Sequence, residues 1–232
     1  MISPKAQTQN QHPSPRVKRG EGNASAVSEG EVLPTTFTSP ASSSRIETVV
    51  LSSRFIADAI PITTEKEITE SLTRIRKEFH AATHHCWAWR MGVDQPQSRS
   101  SDDGEPSGTA GRPILTALER HDITNTLIIV TRYFGGTKLG TGGLARAYAE
   151  AAEEVLRGAT IVTNKIMTQF RVTLPYDFLP RVKTLIYKEG SIIEETFDDS
   201  ARLLVSIPRH EVDRVKSAIT DISKGRATFT AE

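Results

Sequence analysis

Leu127, Ile128, Ile129 and Val130 form a run that is apolar at every position, and five glycines follow within nine residues: Gly135, Gly136, Gly140, Gly142 and Gly143. A strand solvated on one face alternates apolar and polar side chains. A strand apolar throughout is buried on both faces, at the centre of a sheet. The glycines admit positive φ and close backbone approach, which suits a tight connection into the next helix. That helix carries Leu144, Tyr148, Ala151 and Val155 on one face. Residues 127–155 therefore demand a layered domain of sheet and helices around one central strand.

The flanking sequence supplies the other pieces. Val49, Leu51, Phe55 and Ile56 read as one or two strands that stop at Pro61. Thr64 and Glu67 form a capping box ahead of Ile68, Leu72, Ile75 and Phe79 at helical spacing. His84 to Arg90 alternates as a strand, with Cys86 and Ala88 on one face and Trp87 and Trp89 on the other. A polar loop is expected from about Asp94 to Ser107. A short helix with Ile114, Leu115 and Leu118 follows, with Pro113 in its first turn.

The last third follows a simpler order. Ile166 to Leu174 reads as a strand, and Asp177 as the cap of a helix carrying Phe178, Val182, Leu185 and Ile186, which Gly190 stops. Two strands, Ser191 to Phe197 and Ala201 to Ile207, join through Asp198-Asp199-Ser200. Pro208 opens a helix with Val212, Val215, Ile219 and Ile222 on one stripe, and a last strand spans Arg226 to Thr230. The order β-α-β-β-α-β is that of a ferredoxin-like domain. The chain thus reads as α+β, with one domain over 46–158 and a second over 159–232.

Composition separates these domains from what precedes them. Residues 1–45 hold five of the twelve prolines, many Ser, Thr, Gln and Asn, and few apolar side chains. Such a stretch cannot bury enough surface to offset chain ordering and reads as disordered. It lacks the apolar core of a signal peptide, and its three glutamates argue against a transit peptide. Over the whole chain, 29 Lys and Arg balance 28 Asp and Glu, and no domain is strongly basic. That excludes a polybasic binder of histone type. No apolar run reaches the ~20 residues of a membrane span, so no membrane partner is expected. A single cysteine, Cys86, excludes an internal disulfide and fits a reducing, cytoplasmic setting.

Two segments have the residues for chemistry. In Arg132-Tyr133-Phe134-Gly135-Gly136-Thr137-Lys138-Leu139-Gly140-Thr141-Gly142-Gly143, converging backbone N–H groups, a helix start and the cations Arg132 and Lys138 suit an anion. The same glycines also suit a purely architectural turn. The segment lacks the Gly-Lys-Ser/Thr ending of a P-loop. Its Gly140-x-Gly142-x-x-Ala145 has no acidic residue between Glu154 and Asp177 to hold a ribose, so dinucleotide binding is not expected.

Asp102, Asp103 and Glu105 lie within the loop Ser101-Asp102-Asp103-Gly104-Glu105-Pro106-Ser107-Gly108-Thr109-Ala110-Gly111. They suit Mg²⁺ or Ca²⁺ ligation, capping of backbone N–H groups, or contact with a partner. His84-His85-Cys86 falls short of a zinc site, because only His84 and Cys86 share a strand face and no second ligand pair accompanies them. A Cys/His nucleophilic pair needs a third orienting group that spacing alone does not supply. Cys86 reads as a small buried residue, and the two tryptophans as core. No cofactor and no resident metal is expected.

Ser53-Arg54-Phe55-Ile56, His84-His85-Cys86-x-Ala88-Trp89, the acidic loop and the glycine segment as far as Leu144 together resemble the IMPACT family, and more closely its two-domain bacterial (YigZ-type) branch. The likeness spans about residues 46–232. It implies a first domain like ribosomal protein S5 domain 2, with a left-handed crossover, followed by a ferredoxin-like domain similar to the C-terminal domain of elongation factor G. For the bacterial branch it implies nucleic-acid or ribosome binding. Eukaryotic members regulate translation and carry an additional N-terminal RWD domain that residues 1–45 do not supply. The leading expectation is a non-enzymatic, translation-linked binding protein meeting RNA, the ribosome or a translation-associated protein. Its surface would comprise Arg54, His84, His85, Arg132, Tyr133, Phe134, Gly135, Gly136, Lys138, Gly140, Thr141, Gly142, Gly143 and Arg146. The acidic loop, through Asp102, Asp103, Gly104, Glu105, Thr109 and Gly111, would adjoin it. The competing expectation is an enzyme on a small phosphorylated or acyl substrate, with Asp102, Asp103 or Glu105 as metal ligand or base.

Overall fold

Residues 33–232 are described in the structure, a computed structural model of the chain. They run β1 (Thr36–Pro40), β2 (Ser44–Val50), β3 (Ser53–Pro61), α1 (Glu65–Glu78), β4 (His84–Met91), β5 (Gln97–Ser101), α2 (Gly111–Arg120), β6 (Thr126–Tyr133) and α3 (Gly140–Gly158). Then follow β7 (Ile161–Lys165), β8 (Met167–Leu174), α4 (Leu179–Glu189), β9 (Ser191–Phe197), β10 (Ala201–Pro208), α5 (Val212–Ile222) and β11 (Thr228–Ala231).

The apolar run sits in β6, the middle strand of an antiparallel sheet ordered β2-β3-β6-β4-β5. Leu127 and Ile129 point to one side, into a cluster with Ile60, Ile68, Ile75 and Trp89 beneath α1. Ile128 and Val130 point to the other, packing with Phe55, Leu118, Tyr148 and Val155 under α2 and α3. All four are fully buried, each contributing about 1.5–3 kcal/mol of burial. The capping box of α1 forms: Glu67 N–H donates to Thr64 Oγ1, and Thr64 N–H donates to the Glu67 carboxylate at 3.0 Å.

The second domain is an antiparallel sheet ordered β11-β8-β10-β9, which in domain order is 4-1-3-2, the ferredoxin-like arrangement. Phe170, Val172, Leu203, Val205 and Ile207 alternate onto the face that α4 and α5 cover with Val182, Ile186, Val215 and Ile219. Both domains are α+β, as the element order predicts.

Several expectations need correction. Of the stretch expected to be disordered, residues 1–32 lie outside those described, while over 33–45 the chain forms β1 and starts β2. β1 pairs antiparallel with β7, which the sequence reading also missed. This ribbon carries little apolar burial. It is held by its ladder and by distant contacts: Thr38 Oγ1 donates to the Asp122 carbonyl at 2.7 Å, and Arg209 Nη1 to the Pro34 carbonyl at 2.9 Å. Within the expected 94–107 loop lies β5, an exposed edge strand without apolar alternation. Asp177 does not cap α4: a 3₁₀ turn at Tyr176–Phe178 precedes it, and the N-cap position is Phe178. A 3₁₀ turn at Arg209–Glu211 likewise separates Pro208 from α5.

Candidate functional site

β6 ends by delivering Arg132 to the α2/α3 side of the sheet, and the chain then passes Gly135 and Gly136 before α3 begins. Gly135 is a necessity: a Cβ there would stand 2.1 Å from the backbone of Ser52 in the β2–β3 turn. Gly136 takes φ +86°, open to glycine and strained for other residues. Ser53 Oγ fixes the crossing, accepting from Gly135 N–H at 3.2 Å and from Arg132 Nη2 at 3.3 Å. Thr83 Oγ1 accepts from Phe134 N–H at 3.1 Å.

α3 starts without a cap. Its N-cap residue is Leu139, no described side chain accepts from its first turn, and that turn has no acidic residue. The free N–H groups and positive end of the dipole are left for solvent or a ligand. They face a cavity of about 270 Å³ that Arg132, Phe134, Lys138, Thr141 and Leu144 help to line. Lys138 is exposed and makes no ion pair with any described residue.

The acidic loop forms the opposite wall through Glu105 and Pro106. Glu105 is buried; its Oε1 accepts from Arg132 Nη1 at 2.6 Å and from the Tyr148 hydroxyl at 2.8 Å. Arg132 retains a buried Nε with no hydrogen-bond partner among the described residues. His84 lies beside this pair, Nε2 3.9 Å from Glu105 Oε1 and Nδ1 2.8 Å from the Asp103 carbonyl. Cys86 Sγ packs between the Asp102 carbonyl at 3.0 Å and the Tyr148 hydroxyl at 3.3 Å, and burial pushes its thiol up to about 12. A thiol held protonated this way is no nucleophile.

Asp102 and Asp103 face away from the cavity. Asp102 closes the start of α2: Oδ1 accepts from Ala110 and Gly111 N–H at 2.9 and 2.8 Å, and Oδ2 from Gly108 N–H at 2.8 Å. Burial works to raise its pKa, yet these three donors outweigh it and hold the carboxyl below the usual aspartate range. Asp103 joins Arg76 on α1 at 2.9 Å to the His85 N–H at 2.7 Å. Thr109 donates to the Pro106 carbonyl, and a Cβ on Gly111 would meet the Ser101 backbone at 2.8 Å. Gly104 takes φ +89° against the His84 ring. The two helix starts differ: α2 is neutralised by the chain's own carboxylate, and α3 is not.

Strand alternation divides the expected surface. Arg132 and His84 share the cavity side with Cys86. Arg54, His85 and Tyr133 point to the α1 side, so they cannot join them. Arg54 stacks over Tyr133 at 4.7 Å and lines a separate hollow with Glu47 and Phe79. His85 Nδ1 lies 3.1 Å from Thr131 Oγ1, and burial lowers its pKa. Arg146 is exposed nearly two turns into α3, its guanidinium near Gly142. Ser53, Thr83 and Tyr148 were missed as site residues. For Tyr148 a signal existed: a tyrosine on a buried stripe needs a partner for its hydroxyl.

Among the described residues, no three His, Cys, Asp or Glu side chains are grouped to hold a metal, and no helix is long and apolar enough to cross a membrane.

Comparison with known proteins places these motifs in context. The Impact N-terminal domain model matches residues 51–156, and a domain of unknown function, DUF1949, matches residues 172–226. The IMPACT family member YvyE of Bacillus subtilis is 32% identical over 182 residues, covering 78% of this chain and 84% of that protein. The IMPACT family member YigZ of Escherichia coli is 33% identical over 198 residues, covering 83% and 96%. A crystal structure of a hypothetical protein aligns with TM-score 0.71 and 30% identity, over 86% of this chain and 98% of that one.

Proposed function

The chain belongs to the IMPACT family, and on that footing we propose that it is a non-enzymatic, cytoplasmic, translation-linked regulator that binds RNA, free or in the ribosome, through phosphate. The link to translation is what the resemblance to the eukaryotic members implies. The observation that carries the binding mode is the uncapped start of α3 facing a cavity beside the exposed Lys138, which pairs with no described residue. A helix start attracts an anion by about 0.3–1 kcal/mol at exposed sites, and Lys138 adds a full charge. Arg132 is already neutralised by Glu105, so its contribution is geometric. With net charge +1 on the chain, binding is local and modest.

Sedimentation of the purified protein with ribosomes over a potassium chloride series tests this reading. Phosphate contact releases counterions, so affinity should fall log-linearly as salt rises. Absence of binding at every salt concentration refutes it.

The enzymatic alternative meets an obstacle at each carboxylate. Asp102 is filled by three backbone donors, Asp103 by Arg76 and a backbone N–H, and Glu105 by Arg132 and Tyr148. A metal would have to displace these donors. Addition of Mg²⁺ alone is expected to leave the melting temperature unchanged, and a saturable rise would favour the enzyme.

A further inference from the structure

Phe134 is 48% exposed, although its backbone is pinned through Thr83 and its ring stands at the wall of the cavity that faces α3. The guanidinium carbon of Arg132 lies 5.6 Å from the ring centroid, so the ring is backed by a cation and retains free surface. Arg132 itself is buried, with 4% exposed, and lines the same cavity. It is held by Glu105 and Ser53, its Nε alone finding no partner among the described residues. One cavity therefore joins two recognition surfaces: an uncapped helix start beside the exposed Lys138, and a flat, half-exposed aromatic ring backed by the Glu105-paired guanidinium of Arg132. From this we infer that the cavity takes one nucleoside phosphate unit, its phosphate at Gly140–Thr141 and Lys138 and its base against Phe134.

The inference deepens the phosphate-binding reading and rests on it. Phosphate alone needs the helix start but gives no use to an exposed phenylalanine. A nucleotide has an anion and a planar π-face joined by one sugar, which matches two recognition surfaces in one cavity. At about 270 Å³ the space lies just below the ~300–1,000 Å³ of sites for drug-sized ligands, enough for one such unit. A duplex keeps its bases stacked inside and cannot present one here, so the unit is either a free nucleotide or an unpaired position in a strand.

Isothermal titration of the full chain with uridine 5′-monophosphate, hexauridylate, ribose 5-phosphate, inorganic phosphate and O-phosphotyrosine tests this. Binding of the monophosphate and hexamer is expected to exceed that of ribose 5-phosphate. Phe134→Ala is expected to lower affinity for both by about tenfold while leaving inorganic phosphate unchanged, and Phe134→Trp to restore it. A hexamer much tighter than the monomer assigns the site to a strand, and equal affinities assign it to a free nucleotide. Phe134→Ala with undiminished nucleotide binding, or O-phosphotyrosine tighter than the monophosphate, overturns the inference but leaves the phosphate reading standing. Loss of every arm together with loss of ribosome sedimentation overturns both.

Discussion

Glu105 Oε1 and Arg132 Nη1 meet at 2.6 Å, with 4% and 5% of their side chains exposed. This pair joins the acidic loop to the end of β6, so the two motifs that stand out in the sequence form two walls of one cavity.

Breaking the pair on one side strands a buried charge. Arg132→Ala should therefore cost about 3–5 kcal/mol in urea unfolding. The double change Glu105→Leu with Arg132→Met should recover most of that loss, since neither charge remains. Equal losses in the single and double variants would show that the pair matters by shape alone.

Asp102 makes stability depend on acid. Its folded pKa lies below the unfolded value of about 3.9. The sign follows: its stabilisation is fully present above the unfolded pKa and is lost as pH falls through the lower folded value. Melting temperature should fall more steeply below about pH 4 in the wild type than in Asp102→Asn. At neutral pH, Asp102→Ala should cost about 1–3 kcal/mol, because buried N–H groups at the start of α2 lose their acceptor.

Cys86 should be inert to thiol reagents while the protein is folded. Its pKa of about 12 leaves almost no thiolate at pH 8, and it is fully buried. Labelling with a chromogenic disulfide should proceed at the unfolding rate and become immediate in denaturant. Fast labelling of the native protein would contradict the burial argument.

The ribbon of β1 and β7 gives a separate test. Removing residues 1–41 exposes the ladder edge of β7 and deletes the Thr38 and Pro34 anchors. Unpaired edges promote self-association, so the truncated chain should elute as larger species in size-exclusion chromatography. Asp94→Ala, which breaks only the exposed bidentate pair with Arg209, should cost no more than about 1 kcal/mol.

What could be read from sequence follows burial. The β6 run, the capping box at Thr64 and the stripes at Leu144 and Val215 report themselves through apolar period or cap chemistry, and the domain folds follow. β1, β5 and β7 are polar edge strands held by ladders to distant partners, so their own residues carry no period to read. In the site, the glycine segment was legible because glycine has few other reasons to cluster. The division of Arg54, His85 and Tyr133 from Arg132 was implicit in strand parity, since residues of opposite parity face opposite sides of a sheet. The role of Ser53 depends on a turn 79 residues from Arg132, which no local pattern records.

The most direct test of the account is the salt dependence of single-stranded RNA binding in the wild type and in Lys138→Ala. One phosphate contact, with the exposed cation of Lys138, predicts a slope of about −0.7 in log affinity against log salt, and Lys138→Ala should bring it close to zero. A slope unchanged by Lys138→Ala, or binding indifferent to salt, would contradict a phosphate site at the start of α3.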